Sequence, residues 1–398
     1  MKKNIMELFG LREVILDKME VNEAVLLYVR SPRTSSRCPQ CGTRTSRVHQ
    51  THRRKVRHDA LNGRAVFLML LVRRFLCLRC GKPFTEPQSA GVGRSRSTEH
   101  LKTEALSLLR QTSFDEVTKR YGVSFSSLLS FLSERKAKLP WQGGDIKLTV
   151  DEHSFSGRDL KITVGDAAHR ELRDILTDDR KETLMRYLRA IPAPVQSRIS
   201  EVCIDMKHSY KSAIEECLPH AHIVIDQFHV VKELTRRLDE LRKILQPLAE
   251  KGHRRIDRYL LLKGKESLTK AEQRKNELVF RAYTRFPALH ALYLVKEQVR
   301  DMYRCTKRAD AERILSRILM QLEHGEVGVL AEVRDMLLRW KPYILNFFES
   351  RLTNAFIEGC HNRIKLIKRM SYGFRNFTNY SLKVTLAFLP FLFLLPPH

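Results

Sequence analysis

The chain is poor in acidic residues for its length. Its 398 residues include 45 aspartates and glutamates against 72 lysines and arginines, so the net charge is +27 and the pI is near 10. This deficit favours a polyanionic partner, and nucleic acid ahead of a membrane surface. From Arg30 to Lys82 there are fourteen basic residues and one acid, Asp59. A solvated cationic face is the alternative, but so one-sided a segment repels itself without a partner, and we favour phosphate contact.

Long apolar runs are also missing. The first residues lead into mixed sequence without the apolar core of a signal peptide. The apolar stretch from Thr385 to Pro396 contains Pro390 and is too short to span a bilayer. No low-complexity tract is present, and hydrophobic residues make up 43% of the chain, enough for packed cores. We therefore expect two or three domains in a cytoplasmic, nucleoid-associated protein with no membrane partner.

Disulfide bonds are not expected in that compartment, so the cysteines are interpreted as thiols or metal ligands. Four of the eight form two matched C-x-x-C-G pairs, Cys38 with Cys41 and Cys77 with Cys80. The two-residue spacer lets one tight turn present two sulfurs to one ion, which predicts a closed, structural Zn²⁺ site. Chance pairs or a redox motif are the alternatives, and neither accounts for two pairs with the same trailing glycine. The intervening segment Ala65–Phe75 is predicted to be a strand.

A pair of short helices is predicted after the cysteine region. Ser113 or Thr112 can cap the first, Gly122 ends it, and Ser124 caps the second. This rhythm predicts a helix-turn-helix whose second helix, about Phe125 to Glu134, would enter a major groove. An ordinary helical hairpin is the alternative. The phosphate contacts expected in this half of the chain are Arg73, Arg74, Arg135 and Lys136.

Three short apolar runs each end in an aspartate, namely Leu148–Asp151, Val202–Asp205 and Ile223–Asp226. A single such aspartate is most often a turn former or a helix cap. Three at the carboxyl edge of one sheet would instead gather the oxygen ligands that a hard divalent cation prefers. From Asp145 the predicted order is strand, strand, strand, helix, strand, helix, strand, which is the order of a ribonuclease-H-like sheet.

Beyond the third aspartate the periodicity is helical for over a hundred residues, which predicts an all-helical insertion. After it, Asn354, Glu358 and Asn362 lie four residues apart and form one polar stripe on a predicted helix. The stripe can face the metal site while neighbouring cations hold phosphates. An exposed polar helix, the alternative, would mix glutamates with the lysines, yet Glu358 is the only acid after Arg351. The expected phosphate contacts here are Arg363, Lys365, Lys368 and Arg369.

Together these strings resemble the DDE transposases of bacterial insertion sequences, specifically the ISL-three family, over essentially the whole chain. The strings are CPQCG with LVRRFLCLRCGKPFTE, VDEHSF, IVIDQFHVVKEL and TNAFIEGCHNRIKLIKRMSYGFRNFTNY. The resemblance implies a multidomain α/β protein. Its implied parts are a zinc-binding domain (1–92), a helix-turn-helix (93–142), a ribonuclease-H-like core (143–229 and 351–398) and a helical insertion (230–350).

The implied activity is binding of terminal inverted repeats, followed by cleavage and strand transfer of double-stranded DNA by a homo-oligomer. By the resemblance, Asp151 and Glu358 are the first and last catalytic carboxylates. The second follows the fourth strand in ribonuclease-H-like cores, which favours Asp205 over Asp226. These three would hold two Mg²⁺ or Mn²⁺ ions roughly 3.5–4 Å apart. The expected supporting residues are Asp226, His229, Asn354 and Asn362.

Two other functions remain open at this point. A DNA-binding regulator, in effect an inactive transposase, would need only the zinc domain and the helix-turn-helix. A ribonuclease-H-like nuclease would cleave DNA without joining it.

Overall fold

The computed structural model describes residues 6–7, 9–11, 14–87, 95–136, 140–248, 257–282, 287–323 and 328–389. Backbone contacts divide the chain into two compact units. The first unit comprises Met1–Pro140 and Ile364–His398, and the second comprises Trp141–Arg363. The five predicted segments are cut more finely than these units, and their boundaries stay predictions.

The strands form three sheets. In chain order they are β1 (Ile15–Val21), β2 (Ala24–Arg30), β3 (Ser36–Arg37), β4 (Arg44–Thr45), β5 (Val48–Leu61), β6 (Arg64–Leu76), β7 (Pro83–Thr85), β8 (Ile146–Ser156), β9 (Asp159–Asp166), β10 (Glu171–Ile175), β11 (Ile199–Ile204) and β12 (His222–Ile225).

The helices follow the amino-terminal strands and fill most of the second unit. In chain order they are α1 (Glu99–Leu109), α2 (Phe114–Tyr121), α3 (Phe125–Lys136), α4 (Lys181–Ala190), α5 (Ala193–Gln196), α6 (His208–Cys217), α7 (Gln227–Leu245), α8 (Arg258–Leu262), α9 (Lys270–Ala282), α10 (Pro287–Tyr303), α11 (Arg308–Glu323), α12 (Gly328–Ser350), α13 (Ala355–Met370) and α14 (Phe377–Phe388).

The first unit contains a five-stranded sheet in the order β1-β2-β6-β5, with β7 also paired to β6. The strand predicted between the cysteine pairs is confirmed as β6. Alternate apolar residues of β6, such as Val66 and Leu68, are fully buried and pack with Leu27 of β2 in one core. The turn from β5 to β6 is made by Asn62 and Gly63, both at positive φ, which suits a tight hairpin.

The helices α1, α2, α3 and α14 share a second apolar core in the first unit. The predicted caps are present: Ser113 accepts from the Glu116 amide, and Gly122 ends α2 at a φ of +59°. Lys383 of α14 is 1% exposed and donates to the carbonyls of Leu109 and Thr112. Its ammonium group therefore binds carbonyl groups at the carboxyl end of α1 and just beyond it. Burial lowers the pKa of Lys383 to about 8.

The second unit is built on a mixed sheet in the order β10-β9-β8-β11-β12. β9 is antiparallel to both β8 and β10, whereas β11 is parallel to both β8 and β12. The parallel strands β11 and β12 end in the buried apolar runs Val202–Ile204 and Ile223–Ile225, as expected of parallel strands covered on both faces. In the described residues between 227 and 350 all regular structure is helical, as the periodicity predicted. No described helix has both the length and the apolar character of a membrane span.

Candidate functional site

The two cysteine pairs meet at one point of the first unit. We call Cys38, Cys41, Cys77 and Cys80 the cysteine cluster, because their sulfur atoms all lie within 4.8 Å of one another. The Cys38 and Cys80 sulfurs are 3.7 Å apart, and those of Cys41 and Cys77 are 3.4 Å apart. A tetrahedral site with zinc–sulfur bonds of roughly 2.3 Å has edges of about 3.8 Å, so the sulfur spacing fits zinc.

Local hydrogen bonds shape each cysteine pair into a turn. The Gly42 amide donates to the Cys38 carbonyl at 2.9 Å, and the Gly81 amide donates to the Cys77 carbonyl at 3.0 Å. Both glycines have φ near +70°, a conformation that side chains disfavour. Hydrogen bonds from Thr43 hold the pKa of Cys41 down to about 6, which favours the thiolate that a metal binds.

A second cluster forms at the sheet edge of the second unit. We call Asp151, Asp205, Asp226 and His229 the carboxylate cluster. The parallel register aligns Thr149 of β8 with Cys203 of β11, so Asp151 and Asp205 both lie two residues beyond that pair. Ligand atoms of Asp151, Asp205 and His229 lie within 4.8 Å of one another.

One detail of the predicted geometry is wrong. Asp205 and Asp226 directly follow β11 and β12, as expected, but Asp151 lies inside β8. β8 continues to Ser156 because β9 pairs with it up to the turn at Gly157, which has a φ of +54°. Asp151 still reaches the edge, since the parallel pairing of β8 with β11 ends at Thr149.

His229 bridges two of the carboxylates. Its Nδ1 atom lies 2.9 Å from Asp205 Oδ1 and 3.1 Å from Asp226 Oδ2. Burial opposes protonation, but the hydrogen bonds to Asp205 and Asp226 outweigh it and raise the pKa of His229 to about 10. The imidazolium therefore offsets part of the negative charge at this edge. Asp226 is buried beneath it, at 5% exposure.

Asp151 is strained electrostatically. It is 7% exposed, and burial, followed by the nearby charge of Asp205, raises its pKa to about 7. A cation bound beside Asp151 would favour its ionised form.

Helix α13 begins against these carboxylates. Asn354, just before its first residue, is 1% exposed, and its Nδ2 makes long 3.5 Å contacts with Asp205 Oδ1 and the Val150 carbonyl. Gly165 lets α13 pack closely against β9, because a Cβ at this position would come within 2.8 Å of the Ile357 side chain. Glu358 lies one turn further on, with an exposed side chain that is not part of the group of close ligand atoms. Asn362 is exposed as well.

Sequence reasoning missed a histidine on the same helix face. His361 Nδ1 lies 3.6 Å from Asp151 Oδ2, and its Nε2 is 3.0 Å from Thr163 Oγ1. The same hydroxyl contacts His153 Nδ1 at 2.7 Å. The spacing held the signal, because a residue seven after Asn354 lies on the same helix face.

The carboxylate cluster has the donors that Mg²⁺ or Mn²⁺ requires. Carboxylate and amide oxygens are hard ligands, which suit these ions. Asn354 Oδ1 is buried and has no hydrogen-bond partner among the described residues, so it is available to a cation. The residues therefore fit a divalent metal.

Some of the residues expected to contact phosphates are paired with carboxylates, and others are exposed. Arg73 is held by Glu86 at 2.6 Å, and Arg135 is 5% exposed and donates to Glu99 at 2.9 Å. These two arginines therefore form ion pairs within the first unit, and their contact with phosphates stays a prediction. The side chain of Lys136 lies outside the described residues. Arg74, Arg363, Lys365 and Arg369 are exposed, and Lys368 is partly buried.

Two family models match the chain. Residues 34–80 match the zinc finger of the transposases IS204/IS1001/IS1096/IS1165. Residues 148–384 match the ISL3 model of DDE proteins, which is described as "Transposase". Because the second match covers more than half of the residues, the chain belongs to the ISL3 family of transposases. The family predicted from the sequence strings is therefore confirmed.

Curated relatives agree with this assignment. The chain is 26% identical to the transposase for insertion sequence element IS1001 of Bordetella parapertussis over 373 residues, which is 91% of each chain. It is also 26% identical to the transposase for insertion sequence element IS1557 from two strains of Mycobacterium tuberculosis, over 222 residues and 49% of each chain.

Proposed function

We propose that this chain is the transposase of a bacterial insertion sequence that binds the terminal inverted repeats of its element and catalyses metal-dependent cleavage and strand transfer of double-stranded DNA. Asp151, Asp205 and Glu358 are the catalytic carboxylates. The observation that carries the proposal is the meeting of Asp151 and Asp205 at one sheet edge, beside the helix that bears Glu358.

The topology of the second unit supports a ribonuclease-H-like core. Its five-stranded sheet has the chain order 3-2-1-4-5, with the second strand antiparallel to its neighbours and the last two parallel to the first. A helical segment interrupts the core between Asp226 and Glu358. Asp205 follows the fourth strand of this sheet, which is why we prefer it to Asp226 as the second catalytic aspartate.

Each side chain of the site has a distinct task. Asp151 and Asp205 hold the cations, and Glu358 completes the ligand set by turning inward. His229 fixes Asp205 against Asp226, while His361 and Thr163 orient Asp151. When bound, two Mg²⁺ or Mn²⁺ ions would activate the attacking hydroxyl and stabilise the leaving 3′ oxygen of the DNA strand.

The first unit supplies DNA recognition in this proposal. The cysteine cluster would hold a structural zinc, and α2 with α3 would act as a helix-turn-helix whose second helix enters a major groove. Exposed cations such as Arg74 and Lys365 would contact phosphates. Because an element has two ends, we propose that a homo-oligomer binds both of them.

The test is Mg²⁺-dependent cleavage of a duplex carrying the inverted repeat that flanks this gene, with each carboxylate neutralised in turn. Asp151→Asn, Asp205→Asn and Glu358→Gln should each lower the rate at least about 10³-fold, because each removes several kcal/mol of charge stabilisation at the reacting phosphate. Asp226→Asn should lower it roughly 10–100-fold, as expected for a group that orients a ligand.

The outcomes separate the rival functions. Full activity of Asp205→Asn beside a dead Asp226→Asn would overturn the assignment of the second aspartate. DNA binding without cleavage would identify a regulator. Cleavage without joining of a pre-cut 3′-hydroxyl end would identify a nuclease.

A further inference from the structure

An exposed aromatic side chain stands beside the carboxylate cluster. Phe228 lies between Asp226 and His229 in the first turn of α7, and it is 52% exposed. In the described part of the chain Phe125 is the other exposed phenylalanine. A single exposed apolar ring is common on protein surfaces, so exposure alone does not indicate a ligand, and the groups that surround Phe228 decide the point.

Phe228 forms one wall of a cavity of about 290 Å³. The wall on its side is completed by Gln227 and Val231 of α7, and the opposite wall by Arg300, Tyr303 and Arg304 of α10. This volume is close to the lower limit of small-molecule pockets, roughly 300 Å³. The space is therefore large enough for one planar ring system.

The opposite wall carries two fixed guanidinium groups. Glu266 binds both of them: its Oε1 contacts Arg300, and its Oε2 lies 3.3 Å from Arg304 Nη2. Arg304 is also held by Asp301 at 2.9 Å. Planar guanidinium groups stack on aromatic rings, and groups that are already fixed lose less entropy on doing so. An aromatic ring on one wall and arginines on the other favour a nucleobase.

We propose that this cavity receives one unpaired nucleobase of the DNA end, stacked on Phe228 next to the scissile phosphate. The inference rests on the proposed function and names how the same site grips its substrate. Stacking on an aromatic side chain accepts any base and holds a strand without reading its sequence. Because Phe228 is between two residues of the carboxylate cluster, a base held there fixes the adjoining backbone at the metal ligands.

The experiment is an interference scan with the full-length protein. Duplexes carrying the terminal repeat of the element receive a single abasic nucleotide at successive positions on either side of the scissile bond. Mg²⁺-dependent cleavage is measured with wild type, Phe228→Ala and Phe228→Trp. Tyr259→Ala, which removes an aromatic ring that is 65% exposed elsewhere in the same unit, is the matched control.

We expect Phe228→Ala to slow cleavage of the intact duplex about 5- to 150-fold, the range that corresponds to loss of one stacked base. Tyr259→Ala should stay within about twofold of wild type, and Phe228→Trp, which keeps an aromatic face for stacking, should cleave faster than Phe228→Ala. At one position the abasic nucleotide should slow wild type by a similar factor and slow Phe228→Ala no further, because two changes that remove the same contact are not additive.

Three results would overturn the inference. One is an unchanged cleavage rate for Phe228→Ala. Another is an abasic penalty of equal size in wild type and Phe228→Ala at every position. The third is a Phe228→Ala variant that dissociates a DNA-free oligomer in sedimentation analysis, which would place a second copy of the chain on this ring. If wild type itself shows no cleavage, the proposed function has failed instead, so the two failures are distinguishable.

Discussion

The cysteine cluster and the carboxylate cluster are assembled in opposite ways. Each half of the cysteine cluster is one short turn, closed by its own backbone hydrogen bonds and a glycine at positive φ. The carboxylate cluster takes its members from the middle of β8, from the residues that follow β11 and β12 and from the first turn of α7, and α13 packs against β9 at Gly165. The cysteine pairs therefore carry their geometry in the local sequence, whereas the carboxylates depend on the order of a whole sheet.

The two clusters also differ in how they relate to folding. The cysteine cluster has little buried core of its own around β3 and β4, so a metal bound there would contribute directly to folding. The carboxylate cluster lies on a sheet with a large buried apolar core that holds it in place, and His229 already supplies a cation. Loss of metal should thus unfold the cysteine cluster and leave the carboxylate cluster folded.

The largest effect is expected for Cys38→Ser. Structural zinc contributes about 10–16 kcal/mol to comparable sites, so the segment around β3 and β4 should unfold and become sensitive to protease. Metal content per chain and limited proteolysis measure this. Cys217→Ser, at a single partly buried cysteine of the second unit, is the control. A variant that kept one zinc per chain would contradict the assignment.

Asp151→Asn should raise the folding stability, whereas Cys38→Ser lowers it. The pKa of Asp151 is raised from 3.8 to about 7, so the folded state binds its proton more tightly than the unfolded state. Folding stability therefore falls as pH rises from about 4 to about 7, by about 4 kcal/mol in total. Above pH 7, without divalent ions, the variant should be more stable than wild type to urea while failing to cleave DNA. A less stable variant would show that Asp151 is not repelled at this edge.

A smaller effect is expected for His361→Gln. His361 touches the carboxylate of Asp151 without being a ligand, so its loss should weaken Mg²⁺ binding roughly 10–100-fold. The Mg²⁺ dependence of cleavage measures this, and high Mg²⁺ should restore the rate. The exposed His222 on β12 provides the control as His222→Gln. A rate loss that Mg²⁺ cannot restore would point to misfolding of α13 instead.

The smallest effect concerns a buried histidine of the first unit. His58 is fully buried between Thr98 Oγ1 at 3.0 Å and the Phe9 carbonyl at 2.8 Å, and burial lowers its pKa from 6.5 to about 4. As pH falls, the unfolded state therefore binds a proton on His58 before the folded state does. The folding stability that is present above pH 6.5 is lost as pH falls towards 4. Between pH 7 and pH 5 the loss is about 2 kcal/mol.

Chemical denaturation across this pH range tests the point with His58→Gln, which removes the titrating ring. Between pH 7 and pH 5 the stability of the variant should fall by about 2 kcal/mol less than that of wild type, whatever the slope set by the other titrating groups. The neighbouring His100 has a pKa raised chiefly by its hydrogen bond to Asp59, so its contribution has the opposite sign and persists in the variant. An unchanged slope would mean that His58 is not the group responsible.

The sequence predicted much of this architecture, and the failures have physical causes. Turn chemistry identified the caps Ser113 and Gly122, and short apolar runs identified the strands that precede Asp205 and Asp226. The end of β8 was misplaced because a strand partner from β9 overrides the local pattern after Asp151. Pairing of Arg135 with Glu99 could not be read from a run of basic residues. The contact of His361 with Asp151 was missed because the four-residue spacing placed Asn362, and not His361, on the helix face predicted to face the metal site.

The most direct test of the central claim locates the metal on the chain. Ferrous iron replaces Mg²⁺, and peroxide with ascorbate then produces hydroxyl radicals that cut the backbone close to the bound ion. Mass spectrometry should find cuts near Asp151, near Asp205 and near Glu358, all suppressed by excess Mg²⁺ and absent from Asp205→Asn. Iron-dependent cuts at the first two positions with none in α13 would contradict the account, because Glu358 would then lie outside the site.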